Sequence, residues 1–281
     1  MNASPVLING QPGHTIEITD RGFQYGDGLF ETILLHQNRL VFFDRHMNRL
    51  QQGCSRLGIP YPGTELLYYE AMVVAQSTTE GVVKILLTRG SGGRGYNVPI
   101  EPKPNRVISW HPLPANVAAV CNGITLQLCQ TALSIQPLLA GIKHCNRLEQ
   151  ILASRELRDP GRDEGLMLDT EGFVVEGIRT NLFFRKSNTL YTPQLDRCGV
   201  EGIAKAWILE QAANAGVETC EKRIRLEALF QAEEIFVTNS IYGVMPVVQF
   251  HGGVATVGWP VGAMTLSFQE AWEACLLSGA E

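Results

Sequence analysis

Residues Glu176–Lys205 have the sequence EGIRTNLFFRKSNTLYTPQLDRCGVEGIAK, in which two short strands lead into a helix. TNLFFRK and LYTP are short apolar runs that predict strands. They are followed by GIAKAWILEQAANAG, a helix that stops at Gly216. Gly202 therefore stands where a helix opens, and free backbone N–H groups at such an end can bind a phosphate; it also reads as an ordinary helix start. Upstream, EGLMLD and FVVEG predict two more strands, the second ending at Glu176. A carboxylate at the end of a buried strand is placed to meet a cationic ring nitrogen. It also reads as a turn glutamate beside Gly177. Downstream, EEIFVTNS predicts a strand and AMTLSFQEAWEACLL a terminal helix.

Working outward towards the N-terminus, GIKHCNRLEQILASREL predicts an amphipathic helix starting just after Lys143, marked by Leu148, Ile151, Leu152 and Leu157. A lysine at an element junction in an apolar stretch is a candidate for burial, which favours the neutral amine that Schiff-base chemistry needs. It also reads as a surface lysine opening a helix. ITLQLCQ predicts a strand before it. In the first half, VLINGQPG enters a glycine turn, Leu40–Phe43 is a short strand, and residues 44–57 show helical spacing through Met47, Leu50, Cys54 and Leu57. GVVKILLTRG is a buried strand bounded by glycines, and RVISWHPLP ends in spaced prolines. Periodicity lapses around Pro112–Ala119, which predicts an N-terminal α+β domain over 1–114 and a C-terminal α/β domain over 115–281 that carries Lys143.

Composition narrows the function classes. A net charge of −5 with 18% charged residues gives no clustered basic surface for nucleic acid. The seven cysteines are scattered and never spaced as CxxC, which argues against a disulfide framework or a zinc site, so no metal is expected. The first residues lack a basic start followed by an apolar run, and no stretch approaches the roughly 18 apolar residues of a membrane span. A soluble, cytoplasmic enzyme acting on a small molecule is the expectation.

Taken together, these segments resemble the class IV aminotransferases, which are pyridoxal-phosphate enzymes of fold type IV. Their signature asks for Glu, then Asn followed by an aliphatic and an aromatic residue, then Thr, then an aliphatic-x-Gly-aliphatic-x-basic run. Glu176, Asn181-Leu182-Phe183, Thr192, Val200, Gly202-Ile203 and Lys205 supply these. The resemblance runs from INGQ near the start to VTNSIYGVMPV near the end. It implies a two-domain fold with a C-terminal pseudo-barrel, pyridoxal 5'-phosphate between the domains, and a homodimer with loops of one subunit near the other's site. It also implies that Lys143 is the Schiff-base lysine and Glu176 the partner of the pyridine nitrogen. FFDRHMNRL is similar to the family's H-x-x-R-L segment, which assigns Arg49 to the cofactor phosphate; His46 and Arg49 then share a helix face. Ile203, Ala204, Asn239 and Ser240 would complete the phosphate cup.

Within the family, RGSGGRGY (Arg89–Tyr96), LAGIKHCNRLEQ and QYGDGLFET, read as an N-terminal loop, are similar to a lyase branch. That branch implies release of pyruvate from aminodeoxychorismate to leave p-aminobenzoate. Arg94 and Tyr96 match positions where D-amino acid aminotransferases hold the substrate carboxylate, with Tyr96 in place of a histidine. Phe30 stands in place of a tyrosine and is a third candidate for substrate contact. Two other readings stay open: a D-amino acid or branched-chain aminotransferase, and a non-catalytic relative. Taken alone, GSGGRG also reads as a flexible glycine loop.

Overall fold

The structure is a computed structural model that describes residues 6–115, 121–157, 163–252 and 255–279. It divides into two compact units, one of residues 1–114 with 142–146 and one of residues 115–141 with 147–280. Residues 116–120 of the expected linker lie outside the described residues.

The first unit contains β1 (Val6–Ile8), β2 (Gln11–Pro12), α1 (Arg21–Tyr25), β3 (Gly28–His36), β4 (Arg39–Leu40), α2 (Phe43–Leu57), α3 (Thr64–Ala75), β5 (Gly81–Thr88) and β6 (Asn105–His111). Its strands form one antiparallel sheet in the order β2-β1-β6-β5-β3-β4. In β3 the alternate residues Leu29, Glu31, Ile33 and Leu35 are buried, and β3 packs against α2. The helix turns His46, Met47, Leu50, Gly53 and Cys54 inward. Gly53 lets the two elements approach closely: a Cβ there would stand 2.8 Å from the end of the Leu29 side chain, which would have to shift. Burying a side chain such as Leu50 or Met47 contributes about 1.5–3 kcal/mol. The strand expected over Leu40–Phe43 is cut short because Phe42 takes a left-handed conformation (φ 55°) and α2 begins at the next residue. QYGDGLFET, expected as a loop, is instead the end of α1, a left-handed Gly26 cap and the start of β3.

The second unit holds β7 (Ile124–Leu128), α4 (Leu148–Ser154), β8 (Glu164–Leu168), β9 (Phe173–Gly177), β10 (Asn181–Lys186), β11 (Thr189–Pro193), α5 (Ile203–Asn214), β12 (Glu218–Lys222) and β13 (Ile224–Arg225). These are followed by α6 (Leu226–Leu229), β14 (Glu234–Asn239), β15 (Gly243–Gly252), β16 (Ala255–Gly258) and α7 (Ala263–Ser278). The strands run in the order β12-β11-β10-β14-β15-β7-β8-β9-β13, with β16 on β15, in a mixture of parallel and antiparallel pairs. The sheet curls, because β9 near one end also packs on β10 and β11 near the other. Inside the curl, Leu126, Leu166, Val174, Leu182, Phe184, Val237 and Met245 form one apolar cluster.

The segment around Lys143 departs from expectation. Its helix starts at Leu148 rather than just after the lysine, and Leu148, Ile151 and Leu152 face solvent while Gln150 and Ala153 are buried. The residues before it are extended because they pair with β3: Phe30 N–H donates to the Lys143 carbonyl at 3.0 Å, and Cys145 N–H to that of Gly28 at 2.9 Å. A backbone used in this way cannot also turn into a helix. Through these bonds Lys143 belongs to the first unit rather than the second.

Candidate active site

In the first unit the backbone pairing sets the half-buried Lys143 beside β3, with its Nζ 4.6 Å from the centroid of the Phe30 ring. One residue along, Glu31 points to the opposite, buried face. Its carboxylate takes the Nδ1 of His46 at 2.7 Å, and from Arg49 the Nε at 2.9 Å and an Nη2 hydrogen bond. Burial alone would raise the Glu31 pKa; the Arg49 charge and the hydrogen bonds from His46 and Arg49 outweigh it and hold the carboxyl at about 2. Burial lowers the His46 pKa, against the raising effect of Glu31. His46 Nε2 is buried without a hydrogen-bond partner. A two-pronged grip fixes the guanidinium plane, the requirement for an arginine that must meet a phosphate.

Arg94 and Tyr96 lie on the loop after β5 in the same unit, and both are exposed, Tyr96 by 88%. The glycine loop is folded rather than loose: the Arg21 guanidinium donates to its carbonyls at Gly92, Gly95 and Asn97. The Tyr96 ring packs at 5.6 Å against that of Tyr25.

The second unit brings together the other set. Glu176, at the end of β9, is buried, and its Oε2 accepts from the Val200 N–H at 2.8 Å and the Asn181 amide at 3.5 Å. The same Asn181 amide donates to the Val200 carbonyl at 2.9 Å, tying the signature's two ends together. Gly202 leads into α5 with no side-chain cap, so the first N–H groups of the helix, at Ile203 and Ala204, are not bound by a capping side chain. A Cβ on Gly202 would fall 1.9 Å from Asn181 Oδ1, so only glycine fits this approach. Asn181 pairs across the sheet with Thr238, whose hydroxyl is buried without a partner. The Asn239 side chain is committed to its own turn, accepting from the Ile241 and Tyr242 N–H groups, which places Ser240 at the turn's tip.

These features fit pyridoxal 5'-phosphate. A buried carboxylate held by neutral donors suits a ring N–H, while an uncapped helix start beside a buried unpartnered hydroxyl suits a phosphate. Glu31 and Arg21 escaped the sequence reading. The available signal was a charge at an inward position of an apolar strand in LFETILL, since a buried charge requires a partner. No group of histidine, cysteine or carboxylate side chains suited to a metal ion occurs among the described residues, and no helix among them is long and apolar enough to cross a membrane.

Residues 28–250 match the family model for amino-transferase class IV. The chain is 34% identical to the aminodeoxychorismate lyase of Vibrio harveyi, covering 93% of this chain and 97% of that one. It is 26% identical to the D-alanine aminotransferase of Bacillus licheniformis, covering 97% of each. The crystal structure of 4-amino-4-deoxychorismate lyase from Pseudomonas aeruginosa superposes with a TM-score of 0.91 at 40% identity, over 96% of this chain and 98% of that one. With the signature from Glu176 to Lys205 in place and its fold that of the fold type IV enzymes, this chain belongs to the class IV amino-transferase family of pyridoxal-phosphate-dependent enzymes.

Proposed function

We propose that the protein is an aminodeoxychorismate lyase, releasing pyruvate from 4-amino-4-deoxychorismate and leaving p-aminobenzoate. The observation that carries this reading is likeness over nearly the full length to lyases in both sequence and structure, at identities above that to the D-alanine aminotransferase. Bound pyridoxal 5'-phosphate would supply an electron sink for charge developing at the carbon that bears the substrate amine. Arg49, the Ile203 and Ala204 N–H groups and the Asn239-Ser240 turn would hold its phosphate, and Glu176 its ring nitrogen. The Lys143 amine removes the proton from C4 of the substrate. As the C–O bond breaks, Lys143 returns a proton to the methylene carbon of the departing enolpyruvyl group, which leaves as pyruvate, and the ring becomes aromatic. Arg94 and Tyr96 meet a substrate carboxylate, for which a guanidinium fork is better shaped than an ammonium, and Phe30 borders the lysine.

The reading includes a homodimer in the cytosol. The exposed apolar side chains of Ile18, Phe23, Ile100, Leu148 and Ile151 are available to an interface, and seven free cysteines support a reducing compartment. The test supplies chorismate, glutamine and an aminating synthase to the purified protein and follows p-aminobenzoate by fluorescence. Appearance of product only when the protein is present supports the reading; no product from cofactor-loaded protein ends it.

A further inference from the structure

Four glycines between Gly90 and Gly95 have positive φ, from 60° to 119°. A loop of this composition has little conformational preference of its own. Here it is wrapped around one buried side chain. Arg21, only 4% exposed, donates from Nη1 to the carbonyls of Gly92 (3.4 Å), Gly95 (3.0 Å) and Asn97 (3.2 Å). Its Nε donates to Asp27 Oδ2 at 2.9 Å, and its backbone N–H to the Gly90 carbonyl at 3.0 Å. The Tyr25 ring centroid lies 5.0 Å from the guanidinium carbon, and the same ring packs on Tyr96. The Asn97 N–H closes a turn on the Arg94 carbonyl at 3.2 Å. A Cβ on Gly93 would sit 2.0 Å from the Asn97 carbonyl oxygen and 3.3 Å from Arg21 Nη1, so the wrap excludes any side chain there. Asp27 balances the buried charge and is shared with Arg89, whose Nε lies 2.7 Å away.

We infer that Arg21 is a positioning residue for substrate recognition: it folds the glycine loop into the one shape that presents Arg94 and Tyr96 to a substrate carboxylate. This rests on the reading that Arg94 and Tyr96 bind substrate. The three carbonyls would otherwise face water, and the loop would sample many shapes, most of them holding Arg94 away from its ligand. The cost of losing Arg21 therefore falls on substrate capture, since the partners of its guanidinium are Asp27 and the loop carbonyls.

The experiment measures steady-state p-aminobenzoate formation by the holoenzyme for Arg21→Met, Arg21→Lys, Arg94→Ala and the Arg21→Met/Arg94→Ala pair, with hydrogen exchange of the loop amides. A misplaced binding group can cost up to about 100-fold, and a KM rise of about tenfold is expected for both Arg21 variants. Their kcat stays within about threefold and the cofactor absorption is unchanged, as expected for lost binding rather than lost chemistry. Exchange at Gly92–Asn97 speeds up. Because Arg21 acts through the loop that carries Arg94 and Tyr96, the pair raises KM by clearly less than the product of the two single effects. Should Arg21→Met fail to fold, Arg21→Lys carries the test, keeping the charge but losing the planar fork. Multiplicative effects in the pair, or a wild-type KM in the Arg21 variants while Arg94→Ala is impaired, would overturn the positioning role alone. A wild-type KM in Arg94→Ala would overturn the substrate-binding reading and the positioning role together.

Discussion

The stem of Lys143 starts from a backbone segment pinned to β3 by two main-chain hydrogen bonds, which fix where the side chain begins. Lys143→Ala removes the amine and leaves those bonds intact. The variant is expected to fold and to lose the borohydride-reducible link to the cofactor, checked by peptide mapping after reduction; label on Lys84 or Lys205 instead would contradict the assignment. The proposed roles divide the remaining work between Arg49, at the cofactor phosphate, and Glu176, at its ring nitrogen. Arg49→Ala removes a charge-assisted contact worth about 1.5–3 kcal/mol and should raise the cofactor dissociation constant accordingly. Glu176→Gln keeps the hydrogen-bonding shape but removes the charge that favours a protonated ring, so cofactor stays bound while turnover slows. Equal losses of cofactor affinity in the two variants would contradict this division. Lys143, Glu176 and Arg49 could be named as candidates because each lies in a segment that resembles the family: Glu176 in the signature, Arg49 in FFDRHMNRL and Lys143 upstream. Arg21 and Glu31 could not, because what marks them is the company of residues distant in sequence: Gly92–Asn97 for one, His46 and Arg49 for the other.

At the scale of elements, Glu31 ties β3 to α2. Its folded pKa of about 2 lies below the ordinary 4.5, so folding favours the charged form. The resulting stability is fully present above pH 4.5 and is lost as pH falls towards 2, by on the order of 3 kcal/mol. Glu31→Gln has no such titration. Unfolding curves of the two proteins should differ near neutrality and draw together between pH 4.5 and 2; a gap that stays constant through that window would contradict the depressed pKa. Local pattern was enough for α2, β5, β10 and α5, whose apolar spacing agrees with how they pack. It misled at residues 142–147, where apolar spacing predicts a helix from the lysine onward. Pairing with β3 overrides that preference, a long-range bond that no local window contains. It misled again in α4, where Leu148, Ile151 and Leu152 turn outward.

The outward leucines matter at the scale of the whole molecule. Phe23, Ile100 and Leu148 are each at least about 70% exposed and are available to an interface between two copies of the chain. Sedimentation at twice the chain mass of 31.0 kDa is expected, and a monomer at micromolar concentration would remove the dimer from the account. Substrate choice also belongs to this scale. The proposed cofactor-holding residues would serve a lyase and an aminotransferase alike, so the lyase reading rests on likeness along the full chain, with Phe30, Arg94 and Tyr96 as the proposed substrate contacts. The most direct measurement sets two reactions against each other in one cofactor-loaded preparation: pyruvate release from aminodeoxychorismate, and amino transfer from D-alanine or a branched-chain amino acid to 2-oxoglutarate. For a lyase, kcat/KM for pyruvate release is expected to be at least about 100-fold above either transfer, a gap of about 2.7 kcal/mol in transition-state stabilisation. Faster amino transfer than pyruvate release would contradict it.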